Sequence, residues 1–339
     1  MTDTFKDSYV LTGVKPTGIP HIGNYVGVIR PMIELANSNQ FAGSFMFIAN
    51  YHALNGLKDA DILQSHIKNI ARIYLSLGLN PDKTNFYKQS DVPEIFELQT
   101  ILNPFTAKGL MNRAHAYKAI IDQDGNDDNV NIGLYTYPIL MAADILMFGV
   151  KHKVVVPIGQ DQRQHIEIAR DIAGTFNYNY NVQSFVLPDA YLQKDVAELP
   201  GTDGRKMSKS YGNVVPIFGN ADEIKTAVMS IKTDSRGPTE PKPDFADNLI
   251  YKLYKNFANP FAHAEMADAL RDGKMGYGDA KKLLLSALIE HFAAHQEKYN
   301  YYKTPTGEKE IFELLAEGAK KARVIASENL QEIKSIIKV

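Results

Sequence analysis

The segment Tyr9-Val-Leu-Thr-Gly-Val-Lys-Pro-Thr-Gly-Ile-Pro-His-Ile-Gly-Asn24 decides the fold class, because it joins a strand to a helix through a glycine-rich turn. Its first four residues form a short apolar run that predicts a buried strand, and the pattern over residues 23–36 predicts a helix. In α/β sheets, the turn between the first strand and its helix is the usual place for a nucleotide. The side chains expected along one side of the helix are Tyr25, Val28, Met32 and Leu35.

Polar side chains occupy the start of that helix, in the sequence His21-Ile-Gly-Asn24. The free amides of a helix N-terminus favour phosphate groups. His21 and Asn24 are three residues apart and share a face, from which both could donate hydrogen bonds to phosphate oxygens. Gly23 has no side chain, so a flat base could lie against the backbone there. A histidine at a helix start is often only a cap, and the motif alone leaves that role open.

A second glycine-flanked stretch is Gly201-Thr-Asp-Gly-Arg-Lys-Met-Ser-Lys-Ser-Tyr-Gly-Asn213, which we name the lysine-serine loop. It carries two lysines and two serines on a backbone that its glycines allow to move. Cations and hydroxyl donors on a mobile backbone are typical of a loop that closes over a polyphosphate and opens again. Taken alone, the stretch is weak evidence for such a loop, because most surface loops rich in lysine and serine are only solvated turns.

Strands and helices alternate along the first two thirds of the chain, which predicts an α/β fold with a Rossmann-like, doubly wound parallel sheet. Beyond about residue 221 the pattern is helical, with an internal loop at residues 238–243 and a last long helix over 316–337. We therefore expect a catalytic domain over residues 1–215 and a smaller all-helical domain over 216–339, whose last helix docks back on the first domain. The other predicted strands span residues 44–49, 86–88 and 153–158, and the other predicted helices span about 61–77, 93–102, 108–121, 137–148 and a stretch from Ile166.

The 339 residues carry 37 Lys plus Arg against 39 Asp plus Glu, a formal net charge of −2, so any nucleic-acid binding must use a local patch. The absence of cysteine excludes disulfides, Cys-ligated zinc and a thiol nucleophile. Neither a signal peptide nor a membrane-spanning run is present, so we expect a cytoplasmic protein that binds neither membrane nor DNA. The acidic residues 122–129 do not fit the spacing of a calcium loop, and we expect a flexible loop there and no metal site.

The pair formed by His21-Ile-Gly-Asn24 and Lys206-Met-Ser-Lys-Ser210 resembles the two signatures of class I aminoacyl-tRNA synthetases. Five further segments, spread over most of the chain, are similar in sequence and in order to bacterial tryptophanyl-tRNA synthetases. These segments are Gln89-Ser-Asp-Val-Pro-Glu94, Tyr137-Pro-Ile-Leu-Met-Ala-Ala-Asp144, Gly159-Gln-Asp-Gln-Arg-Gln-His165, Thr233-Asp-Ser235 and Gly318-Ala-Lys-Lys-Ala-Arg323.

The resemblance implies that the chain activates L-tryptophan with ATP and Mg²⁺ to tryptophanyl-adenylate and transfers the tryptophanyl group to the 3′ end of tRNA(Trp). It also implies a homodimer, no tightly bound cofactor, and a helical domain that meets the anticodon. The catalytic residues that it implies are His21, Asn24, Lys206, Ser208 and Lys209. The ATP-binding residues that it implies are Lys15, Pro16, Thr17, Gly23, Asn24, Gly159, Gln160, Asp161, Val196, Lys206, Met207, Ser208, Lys209 and Ser210.

For tryptophan, the resemblance implies a site built on the predicted helix over residues 137–148. Tyr137, Met141 and Asp144 lie at helical steps on one face of it. Asp144 would accept the indole N–H. Phenylalanine lacks that donor, so its binding would leave the buried carboxylate without a partner, which costs about 1–3 kcal/mol or more of binding free energy. From the residues alone, the first interpretation of Asp144 is a carboxylate that caps a neighbouring helix or pairs with an arginine. Tyr137 and Gln162 match residues that hold the substrate ammonium and carboxylate, and His52 matches a pocket residue.

Two positions depart from the family pattern, since many bacterial relatives carry glutamine in place of Lys15 and an aromatic residue in place of Leu11. Lys15 would contact a phosphate or the substrate carboxylate, or else point to solvent. Three alternatives stay open: a tyrosyl-tRNA synthetase, a simple nucleotidyltransferase, and a non-catalytic sensor of tRNA or tryptophan. The presence of His21, Lys209 and Asp144 favours an active enzyme over the sensor.

Overall fold

A computed structural model of the chain describes residues 5–114, 117–118, 130–159, 162–192 and 198–339. Its strands are β1 (Ser8–Val14), β2 (Gly43–Ile48), β3 (Asn85–Lys88), β4 (Lys153–Ile158) and β5 (Asp189–Leu192). They form one parallel sheet in the order β3-β2-β1-β4-β5. The direction of winding reverses between β1 and β4, and sheets of this kind bind ligands at the carboxyl ends of the strands beside that point.

The predicted doubly wound α/β class is confirmed, and so are the first four strands. Strand β5 was not predicted, because it is four residues long, lies at the edge of the sheet and begins with an aspartate rather than an apolar run. The predicted acidic loop over residues 122–129 lies outside the described residues.

Helices cover both faces of the sheet. Those of the first two thirds are α1 (Ile22–Asn24), a π-helix (Tyr25–Ile29), α2 (Arg30–Ala36), α3 (Asn50–Ala53), α4 (Ala60–Ser76), α5 (Glu94–Leu102), α6 (Lys108–Asn112), α7 (Ile132–Leu146) and α8 (Arg163–Tyr180). Successive strand residues point to opposite faces, so Met46 and Ile48 pack with α1, α2 and α4 while Phe45 and Phe47 pack with α5, α7 and α8.

The helix predicted over residues 23–36 is present, but its buried side differs from the prediction. Val28 is 44% exposed, whereas Val26 and Ile29 are buried beside Tyr25. The cause is the π-helical turn directly after Asn24, which takes more residues per turn than an α-helix and so displaces the apolar face. Among the described residues, this is the one place where a helix of the catalytic region departs from α or 3₁₀ geometry.

The C-terminal third is helical, and no strand occurs among its residues 221–339, as predicted. Residues 238–243 lie outside its helices, also as predicted. The last helix begins at Pro305, well before the predicted start at Ala316, because Thr304 caps it by accepting from the Gly307 N–H at 3.1 Å. The helices are α9 (Ala221–Met229), α10 (Leu249–Tyr254), α11 (Pro260–Arg271), α12 (Tyr277–Tyr301) and α13 (Pro305–Ile337).

Helix α13 returns to the sheet and covers the edge strand β3. A Cβ added to Gly318 would lie 2.0 Å from the carbonyl oxygen of Phe86, so the helix backbone approaches that strand as closely as only glycine allows. Polar contacts continue along the helix, since Arg323 pairs with Glu94 at 3.0 Å and Asn329 donates to the Met147 carbonyl at 2.8 Å. A covered edge is protected from pairing with another chain. Within the described ranges, no helix is both long and apolar enough to cross a membrane.

Candidate active site

His21 and Asn24 hold each other in a capping box at the start of α1. His21 Nδ1 accepts from the Asn24 backbone N–H at 3.3 Å, and Asn24 Oδ1 accepts from the His21 backbone N–H at 3.2 Å. Because Nδ1 is an acceptor, the proton of the neutral ring is on Nε2. Burial lowers the pKa of His21 to about 4, and the positive charge of Lys209 adds to the shift. The histidine is therefore a helix cap whose other nitrogen carries an N–H donor at neutral pH.

The lysine-serine loop lies directly against the glycine-rich turn, although the two are far apart in the chain. A Cβ added to Gly18 would lie 3.1 Å from Lys209 Nζ, and one added to Gly23 would lie 3.3 Å from Met207 Sδ. Partial burial lowers the pKa of Lys209. The first backbone N–H of α1 also donates to the Val215 carbonyl at 3.0 Å, just beyond the loop. The two motifs form one site.

The lysine-serine loop is folded around the buried side chain of Asn213. Its Nδ2 donates to Asp203 Oδ1 at 2.7 Å and to the Lys206 carbonyl at 3.1 Å, while its Oδ1 accepts from the Ser208 N–H at 2.8 Å. A Cβ at Gly201 would lie 2.2 Å from Asn213 Nδ2, so the glycine leaves room for this amide. The hydrogen bond from Asn213 is the largest of the effects that lower the pKa of Asp203 to about 2.

Two further contacts of the loop lie at its surface. Lys206 Nζ lies 2.5 Å from Glu198 Oε1, and both side chains are about two-thirds exposed. Ser208 Oγ lies 2.9 Å from Ser210 Oγ. An exposed ion pair of this kind contributes at most about 1 kcal/mol.

Asp144, which is 1% exposed on α7, lies beneath the carboxyl ends of β2 and β3. Gln89 Nε2 donates to both of its carboxylate oxygens at 2.9 Å, and His52 Nε2 lies 3.0 Å from Oδ2. Its partners are thus an amide and an imidazole rather than an arginine or a helix terminus. Burial raises the pKa of the Asp144 carboxyl, and the hydrogen bond from His52 opposes that shift.

Tyr137 and Met141 are half-buried on the same face of α7 as Asp144, as their helical spacing predicted. The Tyr137 hydroxyl lies 2.5 Å from His165 Nε2, and its ring meets the His52 ring edge-on at 6.2 Å between centroids. His52 therefore contacts both Tyr137 and Asp144. Two of the three predicted residues of the α7 face, Tyr137 and Asp144, are brought together at this histidine.

The other predicted residues lie around the carboxyl ends of β1 and β4. Pro16 is buried, whereas Lys15 and Thr17 are exposed. Gly159 directly follows β4, and Gln162, the exposed N-cap of α8, donates its backbone N–H to the Gly159 carbonyl at 3.1 Å. Three of the predicted residues lie outside the described ranges: Gln160, Asp161 and Val196.

Three residues of the site had no predicted role: Gln89, His165 and Asn213. Gln89 stands at the carboxyl end of β3, where a polar residue after a buried strand is a general signal for a ligand site. Gln89 and His165 stand at the ends of two segments that carried the resemblance, and Asn213 ends the lysine-serine loop. No spacing along the chain connects Gln89 or His165 with α7, because these contacts exist only in the folded sheet.

Comparisons with known proteins agree with this geometry. The family model of class I tRNA synthetases (W and Y) matches residues 5–293. The chain is 44% identical over 335 residues to a tryptophan–tRNA ligase of Neisseria meningitidis, and the alignment covers 97% of each chain. It is 45% identical to a tryptophan–tRNA ligase of Pseudomonas putida, in an alignment that covers 97% of this chain and 73% of the relative. A crystal structure of tryptophanyl-tRNA synthetase from Campylobacter jejuni, complexed with ADP and tryptophan, superposes with a TM-score of 0.87 at 41% identity, over 98% of this chain and 100% of that chain.

The match of the family model extends over far more than half of the residues, and the relatives are similar over nearly the whole chain. The sheet order, the glycine-rich turn and the lysine-serine loop agree with that assignment. The chain belongs to the class I tRNA synthetases of the tryptophan and tyrosine family.

Proposed function

We propose a residue-level mechanism for the reaction that this chain catalyses, the joining of tryptophan to tRNA(Trp). The tryptophan carboxylate attacks the α-phosphorus of ATP, and the bond between the α- and β-phosphates breaks to release pyrophosphate and tryptophanyl-adenylate. A ribose hydroxyl at the 3′ end of the tRNA then displaces AMP. No protein nucleophile takes part, so the enzyme acts by holding the reactants and by stabilising charge.

The fixed half of the ATP site is the start of α1. His21 donates from Nε2 to a phosphate oxygen, and its low pKa keeps the ring neutral, so the tautomer with that donor persists at physiological pH. Asn24 donates from its amide nitrogen, because its oxygen is occupied by the His21 backbone N–H. Gly23 allows the adenine to lie against the backbone. Both donors are held by the capping box before ATP arrives, so little reorganisation is needed.

The movable half is the lysine-serine loop. Lys206 and Lys209 stabilise the negative charge that builds on pyrophosphate as it leaves, and the Ser208 hydroxyl supports them. The position of Lys209 Nζ next to Gly18 supports this role, since a phosphate bound at the turn would lie beside it. We assign the rest of the ATP site to Lys15, Pro16, Thr17, Gly159, Gln160, Asp161, Val196, Met207 and Ser210. Mg²⁺ enters as part of the ATP substrate.

The amino-acid site lies on α7. Asp144 accepts the indole N–H, His52 and Met141 flank the ring, and Tyr137 and Gln162 hold the ammonium and carboxylate groups. His52 contacts both Tyr137 and Asp144, which supports this assignment. The side chain assigned to the indole N–H and one assigned to the polar groups of the amino acid therefore lie close together. The C. jejuni relative, solved with tryptophan and ADP, supports a site that takes both ligands together.

We assign residues 1–215 to catalysis and residues 216–339 to contact with the anticodon of tRNA(Trp). The sheet, the glycine-rich turn and the lysine-serine loop all belong to the first part, while the second is helical in its described residues. We further propose a homodimer that acts in the cytoplasm, where a tRNA is charged.

The observation that carries this mechanism is the contact of Lys209 and Met207 with the glycine-rich turn. Replacing Lys209 by methionine keeps the length of the side chain and removes its charge. We expect kcat for tryptophan-dependent ATP–pyrophosphate exchange to fall by about 10²–10³, with KM for tryptophan nearly unchanged. The matched control is Lys225→Met on the exposed face of α9, which should leave kcat unchanged. An equal loss in both variants, or none in either, would contradict the role of Lys209.

A further inference from the structure

Gln89 is a fully buried amide that links the sheet to the carboxylate of α7. It follows β3 directly and is 0% exposed. Its Nε2 donates to Asp144 Oδ1 and to Oδ2, each at 2.9 Å. Its Oε1 accepts from the Tyr51 backbone N–H at 3.2 Å, on the helix that also carries His52. Because a backbone N–H can only donate, the oxygen must face Tyr51 and the nitrogen must face Asp144.

We propose that Gln89 is the positioning residue that sets the specificity of this site for an amino acid with a ring N–H. It acts through Asp144, by holding that side chain as a carboxylate with one acceptor position left for the substrate. The inference rests on the proposed role of Asp144 as the acceptor of the indole N–H.

The arrangement of hydrogen bonds supports the count of acceptor positions. A carboxylate offers about four lone-pair positions, two on each oxygen. Oδ2 accepts from Gln89 and from His52, and Oδ1 accepts from Gln89. Among the contacts of the described residues, one position on Oδ1 is therefore left. A substrate with a ring N–H fills it, and one without a donor leaves it unfilled.

Gln89 also favours the ionised form of Asp144. Burial raises the pKa of this carboxyl, and the hydrogen bond from Gln89 is among the contacts that oppose the shift, because it stabilises the charged state. Among the described residues, Asp144 bonds to the amide directly and His52 bonds to Asp144 from another side. The buried Tyr87 hydroxyl also senses this carboxylate, since burial and the charge of Asp144 raise its pKa. A protonated Asp144 would present a donor instead of an acceptor, and the site would no longer prefer a substrate with a ring N–H.

The first test is Gln89→Met, which keeps the volume of the side chain and removes both hydrogen bonds to Asp144. We expect KM for tryptophan in pyrophosphate exchange to rise about 10- to 100-fold, with KM for ATP unchanged. The preference for tryptophan over phenylalanine should fall by a similar factor. The control is Thr84→Val, a buried residue at the other end of the same strand that bonds to Ser44 and to the Ala36 carbonyl. It should lower the melting temperature and leave the preference unchanged.

The second test, Gln89→Glu, preserves shape and serves if the methionine variant does not fold. Two adjacent buried carboxyl groups share a proton, because both cannot ionise in contact. The shared proton can replace the amide donor, so KM for tryptophan should rise with pH as that proton is lost. In the wild type, KM for tryptophan should not rise with pH in this way.

The outcomes separate the inference from the mechanism on which it rests. The proposed mechanism itself is contradicted if the wild type shows no tryptophan-dependent exchange. It is also contradicted if an Asp144→Ala variant has a normal KM for tryptophan. Wild-type KM, preference and pH profile in both Gln89 variants, beside an impaired Asp144→Ala, would overturn only the role of Gln89.

Discussion

His21 combines a structural contact with the geometry that its proposed role in the chemistry requires. It caps α1 through Nδ1, and the same hydrogen bond places the ring proton on Nε2, where a phosphate can accept it. The low pKa follows mainly from burial, so the donor form persists well below neutral pH. The cap and the proposed donor role are therefore compatible at this position, because each uses a different nitrogen of the ring.

The pKa of His21 leads to a prediction for the pH dependence of stability. Between its ordinary value of 6.5 and about 4, the unfolded state binds a proton that the folded state does not. The free energy of unfolding should therefore fall as the pH falls through this window. In His21→Asn, which keeps a capable N-cap, this part of the slope should be absent. Urea unfolding of both proteins at pH 7.5 and 4.5 measures it. If the free energy of unfolding changes equally with pH in the two proteins, His21 has an ordinary pKa in the folded state.

At the scale of the element, the lysine-serine loop is a small folded unit rather than a flexible tether. Asn213 connects Asp203, Lys206 and Ser208, so the two ends of the loop and its first lysine keep one geometry. Gly201 makes that packing possible because no Cβ fits beside the amide. A loop that moves as a unit can place both lysines on the phosphates together.

The hydrogen bond between Asn213 and Asp203 can be tested by exchanging its partners. Asn213→Asp places two carboxylates in contact, and we expect kcat/KM for ATP to fall at least about tenfold. Adding Asp203→Asn restores one donor and one acceptor to the pair. The double variant should recover a large part of the loss in pyrophosphate exchange, although the bond to the Lys206 carbonyl stays broken. A double variant no better than Asn213→Asp would refute the exchange argument.

The elements also show how far the sequence alone leads. The apolar runs of β1 to β4 and the glycine-rich turn were enough to predict the sheet, since both signals are local. The edge strand β5 and the π-helix lack such signals, because their conformation depends on neighbours in the fold. Likewise, the spacing of Tyr137 and Asp144 places them on one face of a helix, but their contacts with His165 and Gln89 arise from other elements.

At the scale of the whole molecule, the last helix joins the C-terminal region to the sheet. Helix α13 covers β3 at Gly318, and the π-helix meets α12 through Tyr25, whose hydroxyl lies 2.9 Å from His291 Nε2. Helix α1 directly precedes that tyrosine. The helical third is therefore packed against the edge strand β3 and against the helix that follows the glycine-rich turn.

The close approach at Gly318 predicts the effect of a single methyl group. In Gly318→Ala the new Cβ would meet the Phe86 backbone, so helix and strand must separate, and we expect a loss of about 1–3 kcal/mol or more in the free energy of unfolding. Gly174→Ala in α8 is the matched control, since nothing lies within 4 Å of the added atom. It should stabilise the protein by about 0.5–1 kcal/mol. Chemical denaturation of both variants gives the comparison, and equal effects would place Gly318 outside a tight contact.

The measurement that tests the central claim most directly is ATP–pyrophosphate exchange with each of the twenty amino acids, on the wild type and on Asp144→Ala. The account predicts exchange with tryptophan well above all others in the wild type. In the variant it predicts a loss of kcat/KM for tryptophan of about tenfold or more with KM for ATP unchanged. Exchange driven by tyrosine instead, or an Asp144 variant that still selects tryptophan, would contradict it.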